Sequence, residues 1–74
     1  MERYEGRIPA YEGFSSASEE GKSASLEEAI SNAAENAYIE NDDGEWFEVA
    51  RIQAQLLPHH QWVKAYRVTI TPTG

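Results

Sequence analysis

The N-terminal third of the chain shows two patterns of apolar and polar positions. Residues 3–11 (RYEGRIPAY) alternate loosely between apolar and polar side chains, which predicts a strand over about residues 2–11. Pro9 has no N–H to donate, so this strand is expected at an edge of the sheet. Residues 12–24 are small and polar, and this composition predicts a loop.

The next segment has the period of a helix. Ser25–Glu28 (SLEE) fits a capping box, in which the Ser25 hydroxyl accepts from the Glu28 N–H and the Glu28 carboxylate turns back to Ser25. Apolar side chains then recur at helical spacing, and their alanine content allows the helix to lie close to a sheet. They are Leu26, Ala29, Ile30, Ala33, Ala37 and Tyr38. The opposite, wet side takes Glu27, Glu28, Ser31, Asn32 and Glu35. The helix is expected over about residues 25–39.

An acidic turn follows the helix and leads into two runs of β-forming residues. Gly44, at the end of this turn, suits a backbone with positive φ. The two runs, about residues 45–57 and 61–71, flank a turn at PHH and predict a hairpin. In the second run Trp62, Tyr66, Val68 and Ile70 share one face, the better partner for the helix, and Val63, Ala65, Arg67, Thr69 and Thr71 share the other.

The first strand of the hairpin changes parity in its middle. Phe47 and Val49 alternate together, whereas Ile52, Ala54 and Leu56 have the opposite parity. One β-bulge near Ala50–Arg51, with Arg51 as the candidate bulged residue, brings both sets onto the helix side. Trp46, Glu48, Gln53, Gln55 and Arg67 then share the other side of the sheet.

These elements predict a single α+β domain over residues 1–74, with the order β-α-β-β. A right-handed crossover makes the first two strands parallel and places the third between them, antiparallel to both. The expected sheet is three-stranded, antiparallel and curled around one helix. No segment remains to cover its second face, so oligomerisation is the expected way to bury it.

Composition and charge narrow the classes of function. Without cysteine, neither disulfides nor thiol chemistry is expected. No apolar run approaches the ~20 residues of a membrane span, and the charged N-terminus does not resemble a signal peptide, so a soluble cytoplasmic protein is expected. A net charge of −7 argues against nucleic acid as a partner. All 13 acidic residues lie between Glu2 and Glu48, so the rest of the chain is mildly basic. This basic part either complements another subunit or receives an anionic ligand.

Three stretches resemble the dodecin family, over Ser25–Ile70. SLEEAISNAAENA (Ser25–Ala37) is similar to the family helix S-x-E-x-A-x-x-N-A-x-x-x-A. WFEV (Trp46–Val49) resembles the opening of its second strand, and AYRVT (Ala65–Thr69) resembles Y-Q-V-T in its third strand. The resemblance implies a β-α-β-β subunit, a hollow dodecamer, and riboflavin or FMN bound between subunits for storage and photoprotection.

The resemblance also implies roles for individual residues. Trp46 takes the position of the tryptophan that stacks on the isoalloxazine ring, and Arg67 takes the position of the glutamine that binds the polar edge of the ring. Arginine only donates, whereas that edge calls for donors and acceptors. Arg51 stands where the family often has an acid, the hairpin turn is about two residues longer, and the N-terminal part and the C-terminus depart from the family pattern.

The candidate cofactor-binding residues are therefore Trp46, Arg67, Gln55 and Arg51. Each also has a structural interpretation: Trp46 as an interface residue, the two arginines as partners of acids on another subunit, and Gln53 and Gln55 as a solvated or interfacial face. His59 and His60 are adjacent in a turn and do not predict a metal site. No set of residues predicts an enzyme. Three hypotheses remain: a flavin-storage oligomer, a dodecin-like structural oligomer without flavin, and an oligomer that binds another anionic nucleotide.

Overall fold

The computed structural model describes residues 9–73, and within this range the chain forms three strands and one helix. The strands are β1 (Tyr11–Ser16), β2 (Phe47–Leu56) and β3 (Val63–Pro72), and the helix is α1 (Leu26–Ala34). The sheet order is β1-β3-β2, and β3 runs antiparallel to both neighbours. The expected α+β architecture and β-α-β-β order are confirmed.

The position of β1 differs from the expectation. We expected a strand over residues 2–11 and a loop over residues 12–24, but β1 occupies Tyr11–Ser16. The part of the expected strand at residues 2–8 lies outside the described residues. Glycine and serine have weak strand propensity, so composition pointed to a loop, but tertiary contacts with α1 hold this segment in the sheet.

A close backbone contact joins Gly13 of β1 to α1. A Cβ atom on Gly13 would overlap the backbone of Ala29 and Ala33, so only glycine fits beneath the helix. Ala29 and Ala33 are themselves fully buried, and with Val68 and Ile70 they form the centre of the core. The alanine-rich stripe therefore does what its composition predicted, and brings α1 close to the sheet.

Polar side chains of α1 and of the turn that follows it bind β1 along its outer edge. The Asn32 and Asn36 side-chain amides donate to the carbonyl oxygens of Phe14 (2.7 Å) and Glu12 (3.0 Å). The buried Ser15 hydroxyl donates to Glu28 Oε1 at 2.9 Å. Glu28 is exposed, as expected for the wet side of the helix, and Asn32 is half-buried, but both side chains also bind β1.

The ends of α1 agree with the prediction only at the start. The Ser25 hydroxyl accepts from the Glu28 N–H at 3.0 Å, as a capping residue should. The Glu28 carboxylate accepts from Ser15 instead of turning back. The helix ends at Ala34 rather than near residue 39, and Tyr38 is 81% exposed instead of joining the apolar stripe. At the following turn Gly44 has φ +94°, as expected.

The hairpin contains the expected bulge. Val49 pairs with Ile70 and Arg51 with Thr69, so Ala50 is the extra residue rather than Arg51. The bulge puts the apolar side chains of β2 on the helix side, but α1 packs on β1 and β3 and leaves most of β2 uncovered. Val49, Ile52 and Leu56 are 37%, 51% and 68% exposed. We call these three residues the β2 apolar row.

Trp62 lies outside β3 and outside the buried cluster, contrary to the expectation that it shares the helix face with Tyr66. It is half-buried, with its ring centroid 5.8 Å from that of His60.

Within the described part of the chain, no helix has both the length and the apolar character that a bilayer crossing requires.

The contact at Gly13 gives a direct test of the fold. Gly13→Ala would force α1 away from β1, so we expect it to lower the free energy of unfolding by at least the ~1–3 kcal/mol typical of overpacked cores. Denaturant unfolding measures this change.

Gly44→Ala is the matched control, because a Cβ on Gly44 meets nothing within 4 Å. It adds only the strain of a positive φ, about 1–2 kcal/mol, so Gly13→Ala should lower the free energy of unfolding by more than Gly44→Ala does. A Gly13→Ala protein as stable as the unmodified chain would contradict the close approach of β1 and α1.

Candidate functional site

The face of the sheet opposite α1, here called the outer face, collects most of the candidate residues. Cross-strand partners share a face, so the register places on it one row formed by Phe14, Arg67 and Gln53, and a second formed by Ser16, Ala65 and Gln55. Glu12, Thr69 and Arg51 form the third row. The helix α1 packs on β1 and β3 from the opposite side of the sheet.

Trp46 is the most exposed large apolar side chain of the described residues, at 86%. Its neighbour Phe47 packs on the helix side, edge-on to Tyr11 at a ring-centroid distance of 6.5 Å. Adjacent residues of an extended chain point to opposite faces, so Trp46 lies on the outer face. Its backbone is fixed, because the Trp46 carbonyl oxygen accepts from the Thr73 N–H (3.2 Å) and hydroxyl (3.1 Å).

Arg67 is held by its cross-strand partner. Its Nε–H donates to Oε1 of Gln53 at 2.7 Å, between two exposed side chains. Phe14 lies on the other side of Arg67 in the same row and is 56% exposed. We call Phe14, Arg67 and Gln53 the arginine row.

A shallow cavity of about 460 Å³ opens at the arginine row. Ala65 and Gln55, from the neighbouring row, also line it. Ala65 is only 3% exposed, and its small side chain leaves room above this part of the sheet. The cavity thus combines an aromatic side chain, two carboxamides and a guanidinium group.

The structure brings together only some of the candidate residues. Arg67 and Gln55 line the same cavity, and Arg51 lies one row away from Arg67. Trp46 is remote from Arg67 and Gln55. Its hydrogen-bonding partner Thr73 lies six residues beyond Arg67 in the chain, a separation of about 20 Å at the usual rise of a strand. A single flavin ring does not reach from Trp46 to Arg67 within one copy of the chain.

Sequence reasoning missed Phe14. It falls in the segment that composition assigned to a loop, so its strand parity was not considered. The helpful signal was the polar spacing Glu28, Asn32 and Asn36, which marks a helix edge that binds another segment. With β1 placed beneath that edge, Gly13 faces the helix and Phe14 faces outward.

A second depression lies at the hairpin turn. Its lining includes Trp62, His60 and Lys64 from the hairpin and Glu19 and Glu20 from the loop after β1. Within residues 9–73, no three side chains of the His, Cys, Asp or Glu type converge as metal ligands would.

No protein-family model, curated protein or solved structure matches this chain.

Proposed function

We propose that this chain forms a dodecin-like homo-oligomer, with a dodecamer as the expected assembly, that binds riboflavin or FMN between its copies for storage or sequestration. It is proposed as a cytoplasmic binding protein and not as an enzyme. The observation that carries the proposal is the exposure of Trp46, an indole that is 86% exposed on the sheet face opposite α1. The β-α-β-β order and the three quoted stretches agree with it.

Two surfaces support assembly. The β2 apolar row is exposed on the helix side, and Trp46 and Phe14 are exposed on the outer face. Apolar side chains on both faces of one sheet favour burial by further copies, since the removal of apolar area from water is the main drive for association.

The separation of Trp46 from the arginine row supports a site between copies. If both take part in binding one flavin, Trp46 comes from one copy and Arg67 with Gln55 comes from another. Trp46 supplies the stacking surface, and the cavity beside Arg67 supplies hydrogen bonds. Arg51 adds positive charge one row away.

Removal of the stacking surface is the first test. We expect Trp46→Ala to weaken flavin binding about 10- to 100-fold, as the loss of ~1–3 kcal/mol of stacking implies, while the assembly remains intact. Titration of riboflavin and FMN, followed by their fluorescence, measures this change.

Trp62→Phe is the matched control, since it alters the other tryptophan, at the hairpin turn, and should leave flavin affinity unchanged. If the unmodified protein at micromolar concentration does not quench flavin fluorescence, the proposed function is wrong.

The composite site has its own test. Trp46→Ala protein and Gln55→Ala/Arg67→Ala protein, each defective alone, are unfolded together and refolded as a mixture. Random assembly restores about one site in four if the two halves come from different copies. If one copy supplies the whole site, the mixture binds no better than the two variants measured separately.

A second candidate is a structural oligomer of the same kind that does not bind flavin. The Arg67–Gln53 hydrogen bond favours this candidate, because the bond uses one of the donors with which Arg67 would bind the polar edge of the flavin ring. Here Arg67 serves contacts between copies, and Arg67→Gln should weaken assembly. The flavin proposal expects the same change to preserve assembly and improve riboflavin affinity, because glutamine both donates and accepts. Light scattering and riboflavin titration of this variant separate the two candidates.

A further inference from the structure

The Arg67–Gln53 pair has many more free hydrogen-bond donors than free acceptors. A guanidinium group carries five N–H donors and no acceptor, and one of the five, at Nε, is used on Gln53. The remaining four stay with Arg67, and the Gln53 amide adds two more. The two side chains thus offer six free donors but only one free acceptor, a lone pair on Gln53 Oε1, because the other lone pair of that oxygen accepts from Arg67.

This capacity does not match the pyrimidine edge of a flavin. That edge alternates two carbonyl acceptors with one N–H donor, so it calls for acceptors as well as donors. A phosphate group is different, since all its oxygens accept and it carries negative charge. Arginine binds phosphate through two parallel hydrogen bonds, which are among the stronger charge-assisted contacts in proteins.

The charges around the pair also favour an anion. Arg51 lies on the same face, one row from Arg67, and both belong to the part of the chain after Glu48 that contains no acid. Glu12, at the other end of Arg51's row, and Glu48, one row beyond Arg51 on the same face, oppose them in part. Phe14 stands beside Arg67 in the same row and is 56% exposed, so its ring offers an apolar surface next to the guanidinium.

We propose that the arginine row binds the phosphate of a phosphorylated planar ligand, so that the chain selects FMN over riboflavin. This inference rests on the proposed function for the identity of the ring. The preference for phosphate comes from the arginine row and does not depend on which ring is bound. Phe14 covers the apolar part of the ligand next to the phosphate, and Gln53 holds the guanidinium in place.

The test compares ligands that differ only in a phosphate. Calorimetric titration of the assembled protein with FMN and with riboflavin should show FMN about tenfold tighter or more, as expected for a charge-assisted phosphate contact. The difference should shrink at high ionic strength, while riboflavin affinity should change little. AMP and adenosine form a second pair that does not depend on flavin recognition.

Two substitutions remove the anion site without a large change of shape. Arg67→Gln removes the charge, and Gln53→Glu places a carboxylate against the guanidinium. Either should reduce the preference for FMN to below about twofold. Lys64→Gln is the matched control, because it removes the same charge elsewhere on β3 and should keep the preference.

The outcomes separate the two proposals. Equal affinities for FMN and riboflavin would overturn the phosphate site and leave flavin binding standing. A preference for AMP over adenosine without any flavin binding would overturn the proposed function and support the phosphate site. If no phosphorylated ligand of either pair binds more tightly than its parent, or none binds at all, the phosphate site is wrong.

Discussion

The fold depends on the backbone approach between β1 and α1 at Gly13. Side chains of normal size at Gly13, Ala29 or Ala33 would separate the two elements, and this part of the core is built from atoms of the backbone rather than from large side chains. Close approach puts the helix directly over β1 and β3. It also lets Asn32 and Asn36 reach the β1 carbonyl oxygens, which fixes the register of an edge strand that is short and poor in β-forming residues.

The same constraint decides what stays uncovered. A helix of nine residues that sits over β1 and β3 does not extend over β2, so the β2 apolar row remains in contact with water. Because β1 is fixed with Gly13 beneath the helix, Phe14 points to the outer face and stands beside Arg67. The exposed apolar surfaces and the candidate site thus both follow from the position of one helix.

Local patterns predicted much of the fold. The change of parity between Val49 and Ile52 revealed the bulge, because only an extra residue puts both on one face, although the residue it adds is Ala50 and not Arg51. Ser25 marked the start of α1, and the hairpin had strong strand formers on both sides. The strand order β1-β3-β2 followed from the handedness rule for crossovers.

Contacts between distant segments were harder to predict. Gly13 and Ser15 look like loop residues, and their pairing with β3 together with their contacts with α1 holds them in a strand. The predicted helix was too long, because Ala37 and Tyr38 continue the helical spacing, whereas α1 ends at Ala34 with Glu35 as its C-cap. Among the candidate residues, alternation placed Trp46, Gln55 and Arg67 on one face. The separation of about 20 Å between Trp46 and Arg67 came only from the register.

In the assembly that we propose, further copies of this chain bury the outer face and the β2 apolar row. Sedimentation velocity of the purified protein at micromolar concentration, with absorbance recorded in the protein and the flavin bands, measures the mass of the assembly and any flavin that travels with it. We expect one large homo-oligomer that carries flavin absorbance after incubation with FMN. A monomer of 8.3 kDa over the whole concentration range would contradict it.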